Sequence, residues 1–256
     1  MRLVIDSGNT RSKLAIYRND QLVREYKYVN ADLLANELWT VDLEDVAADI
    51  KLCCGCSVAS HEVKSAIEQG LRRLAISVNW LVSTTTWRDV KNGYSEPEKL
   101  GADRWFALLG YRSEAHNNCM IIDAGTAMTI DWMDASGQHL GGWIVPGRRL
   151  MHESMHQKTA LVKGELTEAC FREPATSTVT AMSYGVHYAL VGAISQGLHV
   201  SRQRFNNEPF DIVVTGGDGE RLIQSLNRIE SFSYIRKDDL VFKGLLAAAD
   251  NELSRR

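Results

Sequence analysis

No stretch of this 256-residue chain stays apolar for the roughly 18–20 residues that a bilayer-spanning helix needs. The longest apolar stretches, such as Tyr188-Ala-Leu-Val-Gly-Ala-Ile194, have the length of buried helix. A secretory leader is not expected either, because Asp6 interrupts the N-terminal apolar run after three residues. There is no excess of one charge. Lys plus Arg is 29, Asp plus Glu is 32, and the net charge is −3, so the basic surplus of a broad nucleic-acid surface is missing. The chain lacks low-complexity segments and an obvious linker. It also lacks the Gly-x-x-x-x-Gly-Lys-Ser/Thr loop, the Gly-x-Gly-x-x-Gly fingerprint and the protein-kinase motif set. Cysteines are few and odd in number: five, three of them bunched at Cys53, Cys54 and Cys56. That usage suits a reduced, cytoplasmic protein better than a disulfide framework. A hydrophobic share of 45% and a charged share of 24% exclude disordered, collagen-like and coiled-coil classes. The length suits one large domain or two small ones.

What the chain does have is an internal repeat. Residues 3–10 read Leu-Val-Ile-Asp-Ser-Gly-Asn-Thr, and residues 120–127 read Met-Ile-Ile-Asp-Ala-Gly-Thr-Ala. Asp6 aligns with Asp123 and Gly8 with Gly125, each 117 residues apart. Each motif leads into a second strand-like run, Lys13-Leu-Ala-Ile-Tyr17 and Met128-Thr-Ile-Asp-Trp132. The pattern predicts strand, tight turn, antiparallel strand, twice. It implies a duplicated α/β architecture with a central cleft. The boundary is expected near 112–119, giving domains over 1–115 and 116–256, with the last helix able to pack back on the first. Helical periodicity is read over 30–49, 60–75, 178–204 and 238–253. Strand-like runs end near Cys53 and Val82, and Asp211–Thr215 is a buried strand. Asp134-Ala-Ser-Gly137 is a hairpin turn. Ser95-Glu-Pro-Glu98 reads as a capping box that starts a helix running to Tyr111.

The turns carry the chemistry. A Gly after the strand-end Asp permits positive φ and close approach to a ligand, and successive turn amides can surround an anion. Asp6 can hold a hydrated Mg²⁺, which takes few carboxylates and keeps several waters. Asn9, Thr10 and Lys13 add donors for phosphate oxygens, and Asp123, Gly125 and Thr126 repeat the offer. One such turn would be an ordinary hairpin. Two copies, joined by the glycine-rich Thr215-Gly-Gly-Asp218 after an apolar strand, suit a nucleotide polyphosphate, with the glycines leaving room for base or ribose. In Gly101-Ala-Asp-Arg104 a helical Gly needs a reason. Close approach of substrate is one, with Asp103 as a potential base beside Arg104 as an anion clamp. Gly141-Gly-Trp-Ile-Val-Pro-Gly147 is a strand ending in a turn. Cys53, Cys54, Cys56 and His61 fit no common zinc spacing and read as a buried strand end.

Together, Asp6-Ser-Gly-Asn-Thr-Arg-Ser-Lys13, Gly101-Ala-Asp-Arg104, Asp123-Ala-Gly-Thr-Ala127, Gly141–Gly147 and Thr215–Asp218 resemble the type III pantothenate kinase family, also called Bvg accessory factor, in motif order across nearly the whole chain. The resemblance implies duplicated ribonuclease-H-like halves of the actin-like, sugar-kinase-like superfamily. It implies ATP-dependent phosphorylation of pantothenate to 4'-phosphopantothenate, the first step of coenzyme A synthesis. A cytoplasmic homodimer is implied as well, with no nucleic-acid or membrane partner, using Mg²⁺ and a monovalent cation, K⁺ or NH₄⁺. By motif, Asp6, Ser7, Gly8, Asn9, Thr10, Arg11, Ser12 and Lys13 would form the phosphate loop, and Thr126 would contact ATP. Asp103 would be the general base. Tyr94, Gly101, Ala102, Asp103, Arg104 and Thr178 would contact pantothenate, with Thr180 as the alternative to Thr178. Asp123 would bind the monovalent cation and Asp6 the Mg²⁺. Two departures stand out: Trp143 replaces an aliphatic residue or Gly, and Thr159-Ala-Leu-Val-Lys-Gly164 lacks the family's proline. The competing readings are another superfamily kinase or phosphatase, and a regulatory accessory protein that binds nucleotide without kinase activity. Gly101–Arg104 argues against the first, and intact Asp6, Lys13, Asp103 and Asp123 against the second.

Overall fold

In the computed structural model, which describes residues 1–35, 37–159, 164–167 and 174–253, the chain divides into two units. One holds Met1–His116, Ser136–Gln138 and Asp239–Arg256, the other Asn117–Ala135 and His139–Asp238.

Apolar alternation builds the first unit. β1 (Arg2–Ser7) pairs antiparallel with β2 (Arg11–Arg18), and β2 with β3 (Gln21–Val29). Leu3, Ile5, Leu14 and Ile16 share one face and are fully buried, as the period-two pleat requires. α1 (Asn30–Ala35), two 3₁₀ turns (Glu37–Leu43 and Ala47–Asp49), β4 (Leu52–Ser57), α2 (His61–Arg73) and β5 (Asn79–Trp80) follow. Strands β4 and β5 add in parallel, giving the order β3-β2-β1-β4-β5. Leu33, Trp39, Leu43, Val63, Ile67 and Leu71 cover the Leu3 face. A short hairpin, β6 (Thr86–Trp87) and β7 (Val90–Lys91), leads to α3 (Ala102–Arg112).

The second unit repeats the plan. β8 (Cys119–Ala124), β9 (Ala127–Met133), β10 (His139–Pro146), α4 (Arg148–Lys158), α5 (Thr178–Arg204), β11 (Asp211–Thr215), α6 (Gly219–Asn227) and β12 (Ile235–Arg236) follow in order. Its sheet runs β10-β9-β8-β11-β12, with each pair parallel or antiparallel as in the first sheet. Met120, Ile122, Ile130 and Trp132 pack under Leu190, Ile194 and Leu198 of α5 and Leu222 and Ile223 of α6. Each unit is thus a mixed five-stranded sheet flanked by helices, and the repeat read from Asp6 and Asp123 is a repeat of topology. α7 (Leu240–Leu253) returns to the first unit and crosses α3. The backbones meet at Gly110 and Gly244, where an added Cβ would lie 2.0 Å from Leu240 O and 1.9 Å from Phe106 O.

Three local expectations are corrected. The helix expected from Ser95 begins at Ala102, after a 3₁₀ turn over Pro97–Lys99. Leu100 is buried in extended backbone, and its carbonyl accepts from buried Ser83 Oγ at 2.7 Å, a tertiary bond that overrides the capping box. The helix expected over 30–49 stops at Ala35 and gives way to 3₁₀ turns. There the tyrosines of β3 hold the chain: Tyr26 Oη donates to Asp42 O at 2.8 Å and Tyr28 Oη to Asp42 Oδ2 at 2.6 Å. Neither Gly8 nor Gly125 takes positive φ; an added Cβ at Gly8 would lie a tight 3.2 Å from Arg11 O, whereas one at Gly125 would make ordinary contacts at 3.6 and 3.7 Å, so nothing in the structure explains the second glycine. The turn at Asp134–Gly137 does need its glycine, with φ +88° and an added Cβ only 2.6 Å from Asp89 O.

Candidate active site

The first motif closes β1 onto β2, with Gly8 N–H donating to Arg11 O at 3.0 Å. The register sets Asp6 opposite Lys13 and Ser7 opposite Ser12. Antiparallel partners point to one face, so a half-buried carboxylate and a half-buried ammonium share a side of the sheet end. Ser7 and Ser12 take the other side and are fully buried. Their hydroxyls lie 3.0 Å apart, and Ser12 Oγ donates to Asn30 Oδ1 at 2.8 Å. These two side chains serve the shape of the loop, whereas Asn9 and Arg11 are exposed.

β4 brings Cys56 beside Asp6 in parallel register. The thiol faces Asp6 Oδ1 at 4.0 Å. Complete burial, then the carboxylates of Asp6 and Asp103, push it well above the usual thiol range. β4 thus lies beside the Asp6 motif through its pairing with β1 and packs against α3, which carries Asp103. Asp103 stands in the first turn of α3, where the helix dipole favours a carboxylate, and its Oδ1 accepts from Arg104 N–H at 2.8 Å. Gly101 precedes the helix with φ −52°, an angle open to any residue. Its missing side chain leaves the carboxylate in place: an added Cβ would lie 2.7 Å from Asp103 Oδ1 and displace it. Arg104 is buried, with Nη1 donating to Tyr94 Oη at 2.7 Å and the guanidinium 5.6 Å from the Tyr94 ring centre. Asn92 shapes the Tyr94 loop. Its Nδ2 donates to Thr84 O and Pro97 O, each at 3.1 Å, and its Oδ1 accepts from Tyr94 N–H at 3.0 Å.

In the second unit three glycine motifs converge. Gly125 and Thr126 form the exposed tip between β8 and β9, with half-buried Asp123 at the strand end. Gly147 packs on this tip, where an added Cβ would lie 2.4 Å from both Gly125 O and Thr126 O. Gly216, at φ +82°, packs on Ala124 with an added Cβ 2.5 Å from its carbonyl oxygen. Gly217 has open space where a side chain would stand. Of this pair, Gly216 lets the loop touch the strand and Gly217 leaves the exposed face clear. Thr178 is exposed at the first position of α5. The Thr180 hydroxyl instead lies 2.8 Å from Ser177 Oγ and donates to Ser177 O at 3.1 Å. Trp143 packs edge-on against Trp132, with ring centres 4.8 Å apart, which accounts for its bulk. Of the run Thr159–Gly164, residues 160–163 lie outside the described residues.

Among the described residues no group of three His, Cys, Asp or Glu side chains could hold a metal ion, so Cys53, Cys54, Cys56 and His61 form no such centre. No helix among them is long and apolar enough to cross a membrane. Asn30, Cys56 and Asn92 belong to the site's framework without any motif to announce them.

Comparison with known proteins points to one family and one fold. A profile of the type III pantothenate kinase family matches residues 2–199. A type III pantothenate kinase of Idiomarina loihiensis is 41% identical, over 97% of this chain and 98% of its own. One of Methylibium petroleiphilum is 34% identical, over 96% and 97%. Among solved structures, a 2-dehydro-3-deoxygalactonokinase-like protein of Sinorhizobium meliloti superposes with a TM-score of 0.62 at 13% identity, over 98% of this chain and 99% of its own. The activator of 2-hydroxyisocaproyl-CoA dehydratase from Clostridium difficile, solved with ADPNP, superposes at 0.54 with 14% identity, over 99% and 96%. These likenesses place both five-stranded sheets in the actin-like, sugar-kinase-like ATPase fold. The chain belongs to the type III pantothenate kinase family.

Proposed function

We propose that the ATP-dependent phosphorylation of pantothenate carried out by this family runs through Asp103 as general base. One observation carries the reading: β4 pairs with β1, setting Cys56 4.0 Å from Asp6 Oδ1, and the same strand packs against α3, the helix whose first turn holds Asp103, so the end of the phosphate loop and the base are borne by neighbouring elements. Phosphoryl transfer asks mainly for positioning and charge neutralisation. Asp103 accepts the proton of the attacking primary hydroxyl, with Oδ1 kept in place by the Arg104 amide. Arg104, aimed by Tyr94, takes the pantothenate carboxylate, and Gly101, Ala102 and Thr178 complete that contact set. Gly8, Asn9, Thr10, Arg11 and Lys13 bind the polyphosphate, with Ser7 and Ser12 supporting them from below. Thr126 contacts ATP from the second copy of the motif.

Asp6 fits Mg²⁺, as an oxygen donor at a strand end suits a hard ion that keeps most of its waters. Bound there, the ion would neutralise charge on the phosphates. Asp123 offers a carboxylate beside the carbonyl-rich Gly125–Thr126 tip, which suits K⁺ or NH₄⁺. The protein works as a cytoplasmic homodimer. Exposed apolar residues of the second unit support the dimer: Leu150 and Met155 on α4 and Tyr188 on α5. Phosphorylation of pantothenate with ATP and Mg²⁺, measured with and without K⁺, tests the reading. Turnover that rises with K⁺ and collapses in Asp103→Asn is expected; near-normal turnover in Asp103→Asn would remove the base from Asp103.

A further inference from the structure

We propose that Asn30 is the positioning residue of the phosphate loop, setting the affinity for the nucleotide polyphosphate without touching it. The inference rests on the assignment of Asp6–Lys13 as that loop. Asn30 is 5% exposed and opens α1, beyond β2 and β3. Its side chain spends both kinds of group on the turn. Nδ2 donates to Gly8 O at 2.7 Å and to Asn9 O at 3.0 Å, and Oδ1 accepts from Ser12 Oγ at 2.8 Å. Its backbone N–H donates to Thr10 O at 2.9 Å. Three consecutive turn carbonyls are thus tied to one residue.

The consequence follows from peptide geometry. In a planar trans peptide the C=O of one residue and the N–H of the next point in opposite directions. Tying Gly8 O and Asn9 O to Asn30 therefore turns the amides of Asn9 and Thr10 the other way, as a set of like-oriented dipoles able to cradle an anion. A loop released from Asn30 could rotate a carbonyl toward the phosphates, replacing attraction by repulsion. The buried Ser7–Ser12–Asn30 chain fixes the orientation from beneath, and a turn preorganised in this way binds its ligand at lower ordering cost.

The test is the isosteric variant Asn30→Asp, which keeps the shape and sets an acceptor against Gly8 O and Asn9 O. At saturating co-substrate, its KM for ATP is expected to rise about tenfold or more, a factor equivalent to about 1.4 kcal/mol. Its KM for pantothenate stays unchanged, and the rise in melting temperature induced by ATP alone shrinks. Asn30→Ser, which keeps one donor, is expected to fall between Asn30→Asp and the parent; it carries the same comparison where Asn30→Asp does not fold. An unchanged KM for ATP, or equal rises in both KM values, overturns the proposal. Lys13→Ala separates it from the reading beneath it. Loss of the ATP-induced shift in Lys13→Ala together with a parent-like Asn30→Asp overturns the role of Asn30 alone. A parent-like shift in both overturns the assignment of the loop, and the proposal with it.

Discussion

Gly101 and Asp103 act on a single oxygen. An added Cβ at Gly101 would press on Asp103 Oδ1 at 2.7 Å, the atom that accepts the Arg104 amide, while φ −52° suits alanine well. Gly101→Ala is therefore expected to lower kcat with little change in melting temperature, because it moves a carboxylate and strains no backbone. Asp103→Asn is expected to lower kcat by about 10²–10⁴-fold and to leave the ATP-induced melting shift intact. Steady-state kinetics beside thermal melts separate the two outcomes. His187 on α5 supports a different measurement. It is 1% exposed, and burial first, then the charges of Arg221 and Arg148, lower its pKa from 6.5 to about 4. The folded ring stays neutral where the unfolded one protonates, so between those values the unfolded chain binds more protons. Stability from this group is present above the unfolded value and is lost as pH falls from 6.5 towards 4, to a total on the order of 3 kcal/mol. Melting temperature followed over that window should fall less steeply in His187→Gln than in the parent.

At the scale of elements, the two Asp-x-Gly turns differ by one residue. Gly8 N–H reaches Arg11 O, whereas Gly125 N–H reaches Ala127 O, both at 3.0 Å. As a result Lys13 stands opposite Asp6 and Thr129 opposite Asp123, so a cation neighbours the first carboxylate and a hydroxyl the second. The repeat, the strand ends at its two Asp motifs and the long helix Thr178–Arg204 were legible in sequence because each is carried by contiguous residues, whereas the strand expected to end near Cys53 instead begins at Leu52 and runs to Ser57. What was illegible depends on contacts across the chain. Leu100 breaks its helix for Ser83, Asp42 is held by β3, and Asn30 reaches back to the turn at Gly8. Cys56 gains its place only through strand register. The α3–α7 crossing is of the same kind, since nothing near Gly244 in sequence announces Phe106. An added Cβ there meets backbone, which cannot rotate away, so Gly244→Ala is expected to cost about 1–3 kcal/mol. Urea denaturation would read this as a lower midpoint with an unchanged slope.

For the whole molecule, the question is what covers α4. None of its residues is buried, although Leu150 is 42% and Met155 36% exposed, and Tyr188 on the neighbouring α5 is 43% exposed. Apolar side chains spread over two packed helices are costly to leave in water, at roughly 25 cal/mol per Å², and an isologous contact buries the same patch on both copies at once. The parent is therefore expected to sediment at twice the 28.6 kDa protomer mass. The pair Leu150→Glu and Tyr188→Glu should move it to the protomer mass, because a twofold contact sets each new carboxylate near its own symmetry mate. The remaining sheets and helices do not depend on that patch, so far-ultraviolet circular dichroism should be retained. Thr178, proposed above to contact pantothenate, opens the same helix α5 that carries Tyr188, so the monomeric variant is expected to show a raised KM for pantothenate beside a parent-like ATP-induced melting shift. Sedimentation at twice the protomer mass in the double variant would mean that α4 faces solvent and that the dimer contact lies elsewhere.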